Sequence, residues 1–343
     1  MKHLKTILGA ASLAILSVTP VVAAERVLTI ASWAPPTHVV NAKMWPLMIE
    51  RLEEISGGTL TAKVKLNLAP PPAMSDLVLD GAADITFIFH GYNSGRFVTS
   101  ELVELPGTSG SAEATSAAYW RAWDKHLRFA GEQDEFKTLA MFMHGPAHFH
   151  LTEVPSGLES IKGMKLRAPG GVGSAVIERL GAIGIQVPAT KVYETLSSGA
   201  ADGVIMNIDS RTGFKLDEVA PVFFEVEGGV FRGSFTALMN RETWDSLAPD
   251  VQNRLDAEFF GEPMSRAFGR LWDESDAATI SATQKAGKPM IKLSDADMVT
   301  FTSVAKEVEA EVVKKVSAKG IDAQAVLDSF RADSLAIQAE IEK

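Results

Sequence analysis

The chain contains no cysteine in 343 residues. That excludes thiol catalysis, cysteine-ligated zinc and any disulfide framework. It also lacks an apolar run long enough to cross a bilayer anywhere after Ala24. Signature motifs of several enzyme classes are missing too. There is no Gly-x-Ser-x-Gly elbow, no His-Glu-x-x-His pair and no phosphate loop with Gly-Lys-Ser/Thr. Gly170-Gly171-Val172-Gly173 does not have the spacing of a dinucleotide fingerprint. Excess positive charge is absent as well: 33 basic residues stand against 43 acidic ones. An acidic chain of this kind argues against nucleic acid and anionic membranes as partners. If its ligand is an anion, the net field does not attract it, and a well-placed local cation must do so.

The first 24 residues have the layout of a secretory signal peptide. Lys2, His3 and Lys5 form a basic start, Ile7–Val18 is apolar, and Val22-Ala23-Ala24 offers a small-residue cleavage site. An uncleaved N-terminal anchor is the alternative. Without this segment 31 basic and 43 acidic residues remain, a net charge of −12. The 319 residues left after removal of Met1–Ala24 suffice for two domains with real cores. The expectation is an exported, monomeric protein, most simply periplasmic.

One phrase occurs twice. Gly81-Ala82-Ala83-Asp84 precedes the apolar run Ile85–His90, and Gly199-Ala200-Ala201-Asp202 precedes Gly203–Asn207. Each follows a helical stretch and launches a candidate buried strand. Two α/β lobes follow from this, with a ligand crevice between them. Arg26–Ser32 and Leu60–Leu66 alternate as strands, and between them Thr37 or His38 can cap a helix running to about Ser56. The β–α–β–α–β order predicts a mostly parallel sheet with helices on its faces. The boundaries read as lobe I over 25–152, lobe II over 153–237, and over 238–343 a return to lobe I followed by helices that pack across both lobes.

The strongest local signal is Lys162–Gly171. In its strand Lys165 and Arg167 share one face, and Arg167 sits at the carboxyl end, where open α/β sheets bind ligands. A guanidinium fork suits a carboxylate, and Gly170 and Gly171 allow backbone to approach a ligand closely. An ordinary edge-strand arginine is the competing reading. His90 and Asn207 end the two repeated strands and are candidates to face the crevice. Either residue can equally be a turn residue bonded to its own backbone. Trp33, Tyr92 and Phe231 lie beside Pro or Gly turns, where rings can stack on a ligand or simply pack. His144, His148 and His150 invite a metal reading, but no nearby acid completes a set; His144 reads better as a cleft residue. Asp84 and Asp202 begin strands, opposite to the expected crevice, and read as local turn or cap acceptors. No metal or cofactor is expected.

Three runs together carry a resemblance: Leu158–Gly171, Val192–Gly203 and Met239–Leu247. With them the chain resembles the solute-binding proteins of tripartite ATP-independent periplasmic (TRAP) transporters, of the dicarboxylate-binding-protein type, over essentially all of the sequence after Ala24. The resemblance implies an α/β, two-lobe periplasmic binding protein fold, type II-like, with a hinge and a long bracing helix. It implies a small organic carboxylate as ligand, Arg167 as its salt-bridge partner and membrane permease subunits as partners. It also implies an assisting asparagine after the Asp-Gly pair. Here Asn207 stands there, whereas the family's asparagine more often takes the position of Met206, so both are candidates. The runs His90-Gly91-Tyr92 and His144-Gly145-Pro146 resemble a subgroup for monocarboxylates, aromatic or hydroxylated. Two rivals stay open at this point. One is a secreted enzyme with His90 or His144 as general base; the other is a sensor partner that presents ligand to a receptor.

Overall fold

The computed structural model describes residues 26–343, so the proposed signal segment lies outside the described residues. Eleven strands form two sheets. They are β1 (Arg26–Ser32), β2 (Leu60–Leu66), β3 (Ile85–Phe89), β4 (Phe136–Met143), β5 (Ala147–Leu151), β6 (Lys165–Ala168), β7 (Ile183–Gln186), β8 (Gly203–Asn207), β9 (Val222–Glu225), β10 (Ser234–Asn240) and β11 (Met290–Lys292). The first sheet has the order β2-β1-β3-β10-β4 and the second β11-β9-β5-β8-β6-β7. Each is mostly parallel, as expected, with a single reversed strand. β10 runs antiparallel to both neighbours in the first sheet, and β5 does so in the second. Those two are the strands that arrive directly after a crossing between lobes, and a short crossing delivers a strand from the opposite end.

Sheet membership corrects two boundaries. β5 belongs to the second sheet, so the chain leaves lobe I at His144–Pro146 and not after residue 152. It returns by Ser234, because β10 pairs with β3 and β4 along its whole length. After that return, β11 adds to the second sheet once more.

The repeated phrase is scaffold in both lobes. Gly81 and Gly199 take left-handed backbone, with φ of 68° and 72°, and end the helices Met74–Leu79 and Val192–Ser197. Asp84 then accepts a hydrogen bond from the backbone N–H of Thr29 at 2.7 Å, and Asp202 accepts one from Lys165 at 2.8 Å. The acids therefore fasten a neighbouring parallel strand, Asp84 at the middle of β1 and Asp202 at the start of β6, a longer reach than the local turn expected for them.

The helix Glu262–Lys285 is about 36 Å long at 1.5 Å per residue and bridges the lobes. At its start the N–H of Gly261 bonds to Leu139 O in β4. Midway, Asp273 accepts from the N–H groups of Ala112 and Glu113 at a lobe I helix N-terminus, at 2.7 and 2.9 Å. One turn on, Asp276 accepts from the N–H of Asp209 in lobe II at 3.1 Å. The chain then enters β11. This is the bracing helix, and its midpoint carries Trp272 into the space between the sheets.

Candidate functional site

The carboxyl ends of β1, β3, β6 and β8 meet across the lobe boundary. They surround a narrow cavity of about 40 Å³, below the volume of most small-molecule sites. Lobe I supplies Trp33, His38, Phe89, Tyr92, His144 and Phe235; lobe II supplies Arg167, Pro169, Ala189, Ile205, Met206, Asn207, Ser210 and Phe214. Phe231 comes from the returning crossover, and Trp272 from the bracing helix.

Arg167 is the informative member. It is 1% exposed, and no carboxylate lies within ion-pair distance of it among the described residues. Its Nε donates to Val187 O at 2.8 Å, and Nη2 points to the Tyr92 hydroxyl at 3.5 Å. Burial pulls its basicity below the ordinary arginine range. A buried cation without a counter-ion is costly, so this is where an anionic ligand gains most. Arg211 and Arg232 are also buried, but neither lines the cavity. Arg211 donates to the carbonyls of Ala220 and Pro221, and Arg232 donates to Gly110 O.

The rest of the wall is mostly rings. Trp33 stacks on Phe87 with centroids 4.6 Å apart, and its indole N–H donates to Phe87 O at 3.3 Å, which fixes its face toward the cavity. Phe235 and Trp272 lie 4.9 Å apart. Tyr92 spans the lobes: its hydroxyl accepts from the N–H of Ala189 at 2.8 Å as well as facing Arg167.

His144 lines the cavity, edge-on to Phe231 at 5.7 Å. Nδ1 bonds to Gly145 O at 2.5 Å, and Nε2 accepts from the N–H of Gly233 at 3.1 Å. Both ring nitrogens are thereby occupied by backbone. Burial lowers its pKa to about 4, so the ring is neutral. Asn207 and Met206 line the cavity at the end of β8. The Asn207 amide donates to Asp209, and its oxygen accepts from the Ser210 hydroxyl at 3.0 Å.

Three expected residues lie elsewhere. His90 is buried behind the wall, bonded to the Ser234 hydroxyl at 2.8 Å and the Thr236 hydroxyl at 2.7 Å. Phe89, the last residue of β3, faces the cavity. Successive side chains of a strand point to opposite faces, so His90 turns away under β10. Gly170 and Gly171 are not in the wall either. A Cβ on Gly170, where φ is 110°, would come within 2.5 Å of Gly91 O. The glycine lets the lobes meet backbone to backbone; it does not admit a ligand. His148 accepts from the N–H of Val226, and His150 bonds to Met206 O, so both serve the second sheet.

Sequence reasoning placed His38 only as a helix cap and missed Phe89, Phe214, Phe235, Ser210 and Trp272. Trp272 had no local signal, because it sits in a charged helix whose register against the cleft depends on the whole fold.

Residues 30–316 match the family described as bacterial extracellular solute-binding protein, family 7. The chain belongs to this family. Solved structures agree with the assignment. A TRAP periplasmic solute-binding protein from Bordetella bronchiseptica, with bound (R)- and (S)-mandelate, is similar at 32% identity and TM-score 0.88, over 91% of this chain and 99% of that one. A marine metagenome TRAP solute-binding protein in complex with 3-hydroxybenzoate has 28% identity and TM-score 0.85, over 91% and 99%. A TRAP solute-binding protein from Rhodoferax ferrireducens with copurified benzoate has 25% identity and TM-score 0.86, over 93% and 100%. Family and fold together make this chain a TRAP solute-binding protein. Proteins of this kind bind small carboxylates and work with membrane permease components.

Proposed function

We propose that the protein captures a small aromatic monocarboxylate between its lobes and passes it unchanged to a TRAP permease. The observation that carries the reading is Arg167: among the described residues it is the sole Lys or Arg in the cavity wall, buried, without an acidic partner, and surrounded by rings. One cation matches one carboxylate. Trp33, Phe89, Phe231, Phe235 and Trp272 suit an aromatic body. The similar proteins named above hold mandelate, hydroxybenzoate and benzoate, which supports the same class here. Contacts from both lobes to one ligand favour the closed arrangement, so capture proceeds by hinge closure.

No step of chemistry is part of this reading. His144 has both nitrogens engaged by backbone, and His90 has both engaged by hydroxyls. A general base needs a free lone pair within reach of its proton. The protein works as an exported, periplasmic monomer, in keeping with its charged surface and the segment Met1–Ala24.

Calorimetric titration with benzoate, mandelate, succinate and a neutral sugar tests the reading. Binding of the aromatic acids, with each recovered intact, is the expected result. Tight binding of succinate or the sugar in preference to both aromatic acids would overturn it.

A further inference from the structure

Two imidazoles line the cavity, and they differ in what they have left to offer. His144 is saturated by backbone. His38 is not. It is 4% exposed, and its Nδ1 accepts a hydrogen bond from the N–H of Val40 at 3.3 Å. An imidazole nitrogen that accepts carries no proton, so in the neutral ring the proton is on Nε2. Burial, with the nearby His144 second, lowers the pKa of His38 to about 3, and the ring stays neutral at any physiological pH. No other hydrogen bond of the ring is found among the described residues, and Nε2 is not fully buried.

The surroundings keep that N–H in place. Phe214 lies 5.2 Å from the ring and Trp272 6.0 Å. Gly213 gives the ring room, since a Cβ there would stand 3.0 Å from His38 Cδ2. Val40 opens the helical segment that follows β1, so the Nδ1 bond fixes the ring through backbone that cannot easily move. A donor that a bound ligand covers without offering an acceptor is unfavourable. A ligand that supplies an oxygen at this point removes the deficit; one that supplies only C–H leaves it. His38 belongs to lobe I and Arg167 to lobe II, so a ligand that meets both is gripped from both sides.

We infer that His38 Nε2–H is a specificity determinant that donates to an oxygen substituent of the aromatic acid held at Arg167, so that hydroxylated aromatic carboxylates are preferred over benzoate itself. The inference rests on the aromatic-carboxylate reading of the cavity. It adds the second polar point of the ligand. A site built to hydrogen-bond a hydroxyl discriminates against analogues that lack it, because its own polar group is then left unpaired.

The full chain is titrated with benzoate and with 2-, 3- and 4-hydroxybenzoate, as wild type, His38→Phe and His38→Gln. In the wild type at least one hydroxybenzoate should bind about tenfold or more tightly than benzoate. His38→Phe should bring that ratio close to one. His38→Gln, which keeps a donor, should restore part of the ratio. Wild-type protein labelled with ¹⁵N offers a check that needs no variant: the His38 Nε2–H resonance should move downfield with the preferred hydroxybenzoate and not with benzoate. An unchanged ratio in His38→Phe, or a wild-type ratio near one for all three isomers, would overturn the role of His38 and leave the aromatic-carboxylate reading standing. If none of the four acids binds the wild type, both fall together.

Discussion

Replacing Arg167 separates a ligand-binding arginine from a structural one by opposite effects on affinity and stability. Its guanidinium has five N–H groups. One is committed to Val187 O at 2.8 Å, and another reaches Tyr92 at a long 3.5 Å. Three are left for a carboxylate, enough for a bidentate pair. Removing a desolvated charge pair of this kind costs about 2–5 kcal/mol, much of it from the charge left unpaired. That range is roughly 30-fold to several thousand-fold in Kd. Stability should move the other way. Without ligand, Arg167 is a buried cation with no counter-ion, and an apolar residue of similar length relieves that burden. Arg167→Met should therefore abolish or strongly weaken aromatic acid binding in calorimetry. Ligand-free, it should melt at or above the wild-type temperature. Arg167→Lys keeps the charge but not the fork, and should fall between the two in affinity. Unchanged affinity in Arg167→Met would refute the role of Arg167. Loss of binding together with a large fall in ligand-free melting temperature would refute the claim that the cation awaits an external partner.

Three other outcomes are expected. Tyr92→Phe deletes the hydroxyl that joins Ala189 and Arg167 across the lobes; stopped-flow release should show a several-fold faster off-rate, from about 1 kcal/mol of lost closure, and an unaltered off-rate would contradict it. Gly170→Ala places a methyl within 2.5 Å of Gly91 O, so small-angle scattering should report a larger radius for the liganded form than in the wild type; identical radii would show that the contact yields easily. Buried titratable groups of both kinds make stability depend on pH. Burial pushes His38, His90, His144, His148 and His150 from 6.5 down to about 3 or 4, so the stability they hold as neutral rings is full above 6.5 and drains as the pH falls. Glu104 is the reverse. Burial lifts it from 4.5 to about 8, so its contribution is full below 4.5 and is lost as the pH rises through 8. Glu104→Gln keeps the Ser234 acceptor without the ionisation, and at pH 8 it should melt about 2–4 °C above the wild type; equal melting points there would count against it.

Local chemistry made much of the scaffold legible. A glycine that ends a helix and an aspartate that starts a strand leave short, position-specific marks, and the two Gly-Ala-Ala-Asp phrases carried them. Arg167 was legible because a cation at the carboxyl end of a strand, before Pro-Gly-Gly, has few structural uses. His90 misled because one step along a strand reverses the facing: Phe89 took the cavity and His90 the far side. Trp272 and Phe235 stayed hidden because their placement comes from packing between segments more than 100 residues apart, and no spacing near them records it. His38 was half read. Its capping bond to Val40 is local, whereas its idle nitrogen becomes apparent only once lobe II covers it.

The position of β10 has a consequence for how the chain comes to be folded. It lies between β3 and β4, in the interior of the first sheet, yet it is made after the whole run from β5 to β9. Until residue 240 has been synthesised, the first sheet has two halves and no middle. Neither lobe is a contiguous stretch of polypeptide, and no early fragment has a finished core on which to settle. The late strand works as a keystone. The first sheet is therefore expected to close only after residue 240 has joined it.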